Sequence, residues 1–161
     1  MKQSLGFVLL AVTLVGAVWL LRPQPEPLPA GLSLTLTDGS SHTLTQMGGQ
    51  PALLVFWSTD CEPCLRDLPR LAQLHQELQA RGMNLIAVSA AGDPPHAVQA
   101  TMAQLATPLP VALDPQGEAS RALDISGDLP VTLFIDRQGR IVRRLSGELD
   151  LTRIRATLTT L

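Results

Sequence analysis

The residues best suited to chemistry lie in one short stretch, Phe56-Trp57-Ser58-Thr59-Asp60-Cys61-Glu62-Pro63-Cys64. Its two cysteines are the only ones in 161 residues and stand three apart, which excludes a framework of several disulfides and a four-cysteine zinc site. One local dithiol remains. A purely structural bridge over so short a loop would remove little entropy from the unfolded chain. Zinc would need two further ligands, and His42, His75 and His96 are scattered without ligand spacing, so no metal site is expected. The redox reading has support from the surroundings. Ala52 to Trp57 is a continuous apolar run of the length of a strand buried on both faces, and a helix should start near Glu62. The pair therefore falls at a strand-to-helix junction, where unpaired N–H groups and the positive end of the helix dipole stabilise an anion. Cys61 is the expected thiolate nucleophile, and Cys64, one turn in, the expected resolving thiol. Pro63 suits the first helical turn, which does not use its missing N–H.

The elements that must position this pair can be read from the punctuation of the chain. Leu32, Leu34 and Leu36 alternate with polar residues, followed by the turn Asp38-Gly39-Ser40 and a second short alternation around Thr43 and Leu44, which reads as a hairpin. After Ala52 to Trp57, the pattern predicts a helix from about Glu62 to Arg81 stopped by Gly82, a strand over Asn84 to Ser89 and a helix opened by Pro94-Pro95 and running through Leu105. A short strand at Val111 to Leu113, a helical turn from Glu118 to Leu123, strands at Val131 to Ile135 and Ile141 to Leu145, and a last helix from about Asp150 complete the series. Strands alternating with helices and ending in a hairpin predict an α/β fold with a mixed sheet.

The N-terminus is a separate matter. Leu5 to Leu21 is apolar apart from Thr13 and is flanked by Lys2 and Arg22. As a helix it would be about 26 Å long, close to the roughly 30 Å of a hydrocarbon core. A transmembrane anchor over residues 1–22 is the expectation, with a cleaved signal peptide after Val15-Gly16-Ala17 as the competing one. The basic start places the N-terminus inside and the rest of the chain outside the cytoplasm. Residues 23–31 are Pro-rich and read as a stiff linker, leaving 32–161 as the folded domain. A net charge of -2 excludes nucleic acid as an expected partner.

The chain resembles the thioredoxin fold and, within it, the membrane-tethered TlpA, ResA and CcmG type of thiol-disulfide oxidoreductase. The resemblance is carried by Leu53-Leu54-Val55-Phe56-Trp57 before Cys61-Glu62-Pro63-Cys64, by Asp67 and Pro69 after it, and by Gly127-Asp128-Leu129-Pro130-Val131-Thr132-Leu133-Phe134-Ile135-Asp136 with Gly139. It implies a central mixed sheet flanked by helices, with the hairpin of residues 32–45 as an N-terminal addition. It also implies that Pro130 is a cis-proline beside the dithiol, and that Leu129 offers its backbone to an extended substrate. Trp57, Pro63, Leu129 and Pro130 are the substrate-binding residues expected on this basis. The implied activity is reduction of disulfides in proteins outside the cytoplasm, apocytochrome c among them, with electrons from a membrane thiol donor and no cofactor. A dithiol that instead carries copper, as in a metallochaperone, is the alternative.

Two departures from the family pattern bear on the chemistry. Asp60 stands before Cys61 where an aromatic residue is common, and with Glu62 it opposes the helix dipole, which points to a reductant rather than an oxidant. Val55 occupies the position of a buried aspartate found in thioredoxins proper. Helical spacing puts Asp67 on the same stripe as Cys64, Leu68 and Leu71, where it is the candidate to exchange a proton with Cys64, unless Pro69 kinks the helix and turns it to solvent. His75 is expected at the edge of the core. Arg137, Arg140, Arg143 and Arg144 are expected on a solvated face.

Overall fold

The computed structural model describes residues 24–44, 49–105 and 108–161, together with Thr13 and Gly16. The anchor expected over residues 1–22 thus lies outside the described residues apart from those two. Among the described residues no helix is long and apolar enough to cross a membrane.

Eight strands form one sheet: β1 (Glu26–Pro27), β2 (Ser33–Leu36), β3 (Ser41–Thr43), β4 (Ala52–Trp57), β5 (Asn84–Ser89), β6 (Val111–Leu113), β7 (Val131–Ile135) and β8 (Arg140–Ser146). Their spatial order is β1-β8-β7-β4-β5-β6-β2-β3. β4, β5 and β6 are parallel, and β7 runs antiparallel to β4. The β2–β3 hairpin extends the sheet beyond β6. The four described helices are α1 (Glu62–Gln79), α2 (Pro95–Leu105), α3 (Glu118–Ala122) and α4 (Leu151–Leu158).

β4 is buried at all six positions because both of its faces are covered, which explains its unbroken apolar run. Alternation along the strand sends Leu53, Val55 and Trp57 to one core, shared with Leu68, Leu71, Leu74 and Leu78 of α1, Val98 of α2 and Ile154 of α4. Ala52, Leu54 and Phe56 go to the other, with Leu34 and Leu36 of the hairpin and Ala119 of α3. Each fully enclosed leucine of α1 contributes about 1.5–3 kcal/mol by leaving water. That burial is what holds α1 together across Pro69, which removes one interior hydrogen bond yet leaves the helix continuous from Glu62 to Gln79. Met83 N–H bonds back to Leu78 O and Gly82 takes a φ of 69°, a left-handed stop that only glycine adopts without cost.

The stretch read as a linker is partly folded onto the sheet. Glu26 and Pro27 pair with Ile141 and Arg140 of β8, Leu28 N–H bonds to Gly139 O at 3.0 Å, and Leu28 is buried. Pro27 is tolerated because it sits in an edge strand, where one N–H side needs no partner.

Candidate functional site: a disulfide at a helix N-terminus

β4 ends at Trp57, and Ser58, Thr59 and Asp60 carry the chain to Cys61, which is the N-cap of α1 with extended backbone (φ -93°, ψ 98°). Cys61 and Cys64 are joined as a disulfide with their Cα atoms 5.2 Å apart. Cys61 Sγ accepts the Cys64 N–H at 3.2 Å, and Cys61 O accepts the Leu65 N–H at 3.0 Å. The N-terminal cysteine therefore sits where helix N–H groups converge, as the sequence pattern requires of a thiolate. Cys61 is half-buried and Cys64 only 2% exposed, so the first sulfur alone is open to a bulky partner.

The opposite wall comes from the segment before β7. The Leu129–Pro130 peptide is cis, and Leu129 O lies 3.6 Å from Cys61 Sγ. In the disulfide this is a contact, since the sulfur carries no hydrogen; in the dithiol a Cys61 S–H would have an acceptor there. Pro130 is buried and its carbonyl accepts the Gly147 N–H at 3.0 Å, which fixes the segment against the start of the next loop. Cys61, Cys64, Pro63, Leu129 and Pro130 are thus brought together. Exposed carboxylates stand around them at Asp60, Glu62 and Asp128, while the cation of Arg66 is paired with Glu148 at 2.7 Å.

Two expected site residues are placed differently. Trp57 cannot meet substrate directly. It is 0% exposed because, as the last inward residue of β4, it falls on the α1 face and packs in the same core as Cys64 and Leu68. It packs in the core behind the dithiol, and its Nε1 has no hydrogen-bond partner among the described residues. Asp67 does face inward, 4% exposed, and Pro69 has not turned it to solvent. Its carboxylate is engaged elsewhere, however. Oδ1 accepts from Arg70 Nη1 at 2.9 Å and Oδ2 accepts the Leu149 N–H at 3.2 Å, which ties α1 to the turn before α4.

A second buried acid at the site carries no signal in the sequence pattern. Asp93, between β5 and α2, is buried and accepts hydrogen bonds from Ser58 and Thr59, the residues leading into Cys61. His75 is at the core edge as expected, with burial pushing its pKa below the ordinary value and a backbone hydrogen bond at Leu85 opposing this. Of the four clustered arginines, Arg140 is paired with Asp136 and Arg144 donates to the carbonyls of Leu123 and Asp124, so half of that face is structural. Among the described residues no group of three or more His, Cys, Asp and Glu could hold a metal ion.

A mixed sheet between helices, with a Cys-x-x-Cys disulfide at the N-terminus of the helix that follows the central strand, defines a thioredoxin fold. The chain belongs to the AhpC/TSA family, whose pattern matches residues 27–144. It is similar to the thiol-disulfide oxidoreductase ResA of Geobacillus thermodenitrificans, with 31% identity over 110 residues covering 68% of this chain and 62% of that protein. To ResA of Bacillus subtilis it is 32% identical over 111 residues, 69% of this chain and 61% of that protein. The chain spans about 62% of the length of the curated relatives it matches. Among solved structures, it resembles a thioredoxin-family thiol:disulfide interchange protein of Chlorobium tepidum (TM-score 0.74, 19% identity, 86% of this chain and 97% of that one). It also resembles the exposed lipoprotein thioredoxin Etrx1 of Streptococcus pneumoniae (TM-score 0.73, 25% identity, 81% and 98%).

Proposed function

We propose that this protein is a membrane-anchored thiol-disulfide oxidoreductase that reduces disulfides in proteins outside the cytoplasm. The observation that carries the reading is the asymmetry of the pair: Cys61 is accessible at the helix N-cap beside Leu129 O, while Cys64 is enclosed one turn later. The names of the ResA relatives support the activity, and the apolar run Leu5 to Leu21 supports the anchor.

In the reduced protein the Cys61 thiolate attacks one sulfur of a substrate disulfide, forming a mixed disulfide and releasing the other substrate sulfur as a thiolate. Cys64, once deprotonated, attacks Cys61 Sγ, which re-forms the Cys61–Cys64 bond and expels the second substrate thiolate. Two electrons pass to the substrate, and its two released thiolates take up two protons, one given up by Cys64 and one from solvent. Asp67, one turn beyond Cys64 on the buried stripe, is the proposed acceptor of the Cys64 proton. A dithiol donor in the membrane returns the electrons. Clients of this chemistry include the paired haem-binding thiols of apocytochrome c.

Trapping tests the reading. A Cys64→Ser variant should turn over no disulfide and should accumulate a mixed disulfide through Cys61 with its client, whose identification names the substrate. Attachment through Cys64 in a Cys61→Ser variant at equal yield would overturn the assignment. With Asp60 and Glu62 beside Cys61, equilibration with glutathione should place the pair nearer about -270 mV than about -120 mV. A value at the oxidising end would mean that the flanking acids do not withhold thiolate stabilisation.

A further inference from the structure

The loop that presents Cys61 is fastened from outside by one buried carboxylate. Asp93 is 5% exposed and lies 34 to 35 residues along the chain from its partners. Its Oδ1 accepts from Ser58 Oγ and from Thr59 Oγ1, each at 2.9 Å, and its Oδ2 accepts the Thr59 N–H at 3.0 Å. The pattern continues towards the sulfur. Ser58 Oγ accepts the Asp60 N–H at 3.2 Å, and Ser58 O accepts the Cys61 N–H at 3.2 Å. Ser58 thus links Asp93 to the attacking cysteine, its hydroxyl bonded to the carboxylate and its carbonyl to the Cys61 N–H.

The other end of this strut is itself fixed. Asp93 N–H bonds to Ala90 O at 3.2 Å, Ala90 N–H to Trp57 O at 2.7 Å, and Gly92 N–H to Pro115 O at 3.2 Å. At Gly117 a side chain would come within 2.8 Å of Ala91 Cβ, so the loop packs closely on the turn before α3. None of the ion pairs among the described residues involves Asp93. A carboxylate buried without a cation is costly unless donors surround it. Here the donors are the two residues that set the position of the redox pair.

We propose that Asp93 is a positioning residue for the thiol-disulfide reaction, holding Ser58 and Thr59 so that Cys61 stays at the N-cap of α1, where the helix N–H groups support its thiolate. The inference rests on the assignment of Cys61 as attacking thiol. It makes Asp93 a determinant of the dithiol's reactivity without contact with substrate.

Two substitutions separate position from charge. Asp93→Ala removes the three acceptor contacts. Asp93→Asn can keep the shape: its Nδ2 can donate to the two hydroxyls once their hydrogens turn away, and its Oδ1 can still accept the Thr59 N–H. In the purified, reduced full chain at neutral pH, Asp93→Ala should slow iodoacetamide alkylation of Cys61 about fivefold and shift the equilibrium with glutathione about fivefold towards the disulfide, the size of a lost helix cap. Asp93→Asn should stay within about twofold of the parent in both, on the same grounds. The inference is overturned if Asp93→Ala keeps the parent's alkylation rate and equilibrium, whatever happens to its melting temperature. It is equally overturned if both variants alkylate faster, because the effect would then be that of charge. Should Asp93→Ala fail to fold, Ser58→Ala, which cuts the same link at a half-buried residue, should slow alkylation about twofold to threefold; parent behaviour there sinks the idea. Mapping the alkylated peptide keeps the two readings apart. Label on Cys64 overturns the assignment of Cys61 and this inference with it, while label on Cys61 at unchanged rates overturns this inference alone.

Discussion

Asp136 and Asp93 are both buried carboxylates that shape a turn at an end of the central sheet, yet they are satisfied in different ways. At the β7–β8 turn, Asp136 Oδ1 accepts the N–H groups of Gln138 and Arg140, each at 2.9 Å, and Oδ2 accepts Arg140 Nε at 2.8 Å. All its partners lie two to four residues away and one is a cation. Burial pushes its pKa up, but the side-chain and backbone hydrogen bonds of Arg140, that of Gln138 and the Arg140 charge outweigh it and hold the carboxyl below its ordinary value. At the redox end Asp93 reaches across 34 residues to neutral donors. A self-contained, charge-neutralised turn needs nothing from the rest of the fold and serves stability. A carboxylate left without a cation beside a thiol is suited to holding a loop whose chemistry depends on its shape.

The comparison breaks most visibly at Asp136. Asp136→Ala should cost about 2–3 kcal/mol at neutral pH, since it takes the acceptor from two N–H groups and the carboxylate from a half-exposed guanidinium, and should leave the glutathione equilibrium of the dithiol unchanged. Because the folded pKa lies below the unfolded one, this contribution is present above about pH 4 and is lost as pH falls through the folded value. Urea midpoints of parent and variant should therefore converge in acid. A gap that persists there, or a shifted redox equilibrium, would erase the contrast between the two ends.

Asp67 sharpens it, since it has features of both. Like Asp136 it pairs with a nearby arginine, and like Asp93 it reaches a distant backbone N–H. Asp67→Asn should lower stability by about 1 kcal/mol and slow the resolution of mixed disulfides severalfold around neutrality. Unchanged resolution from pH 5 to 9 would make Asp67 a tie between α1 and α4 only, and leave Asp93 as the sole buried acid with a redox role.

The smallest effect belongs to His75. Burial lowers its pKa, so as pH falls through about 6.5 the unfolded chain takes up a proton that the folded one refuses, and stability declines. Replacing it by Leu should flatten the pH dependence of the urea midpoint across that value. An identical slope in parent and variant would show that the decline comes from another group.

What the sequence made legible follows the same division between local and distant partners. β4 and β5 match their apolar runs to the residue, and α1 starts at Glu62 as its cap and Pro63 imply, although its last turn unwinds at Gln79, before Arg81. The dithiol could be read from spacing and context alone. Periodicity placed Asp67 on the buried stripe, but its bond to Leu149 joins residues 82 apart and no window reveals it. Asp93 sits in Ala-Ala-Gly-Asp-Pro-Pro, which reads as an ordinary turn until β5 brings it beside β4. Trp57, a substrate-binding residue on the strength of the resemblance, falls by strand alternation with Leu53 and Val55 in the core. β1 escaped notice because Glu26-Pro27 has the composition of a linker and becomes a strand only through the edge that β8 offers.

That short edge pairing has a geometric consequence for a tethered protein. If the chain is anchored as proposed above, three residues, 23–25, separate Arg22 from β1, a span of about 13 Å at full stretch. Glu26 lies level with Ile141, Ile135 and Ala52, at the base of the sheet, while the dithiol lies beyond Trp57 at the far end of β4. Six residues of strand separate the two levels, about 20 Å. An anchor of the kind proposed would therefore join the domain at its foot, at the end of β4 opposite the reactive sulfur. In a chain anchored in that way, inserting flexible residues between Arg22 and Glu26 should widen the shell of clients within reach without touching the active site.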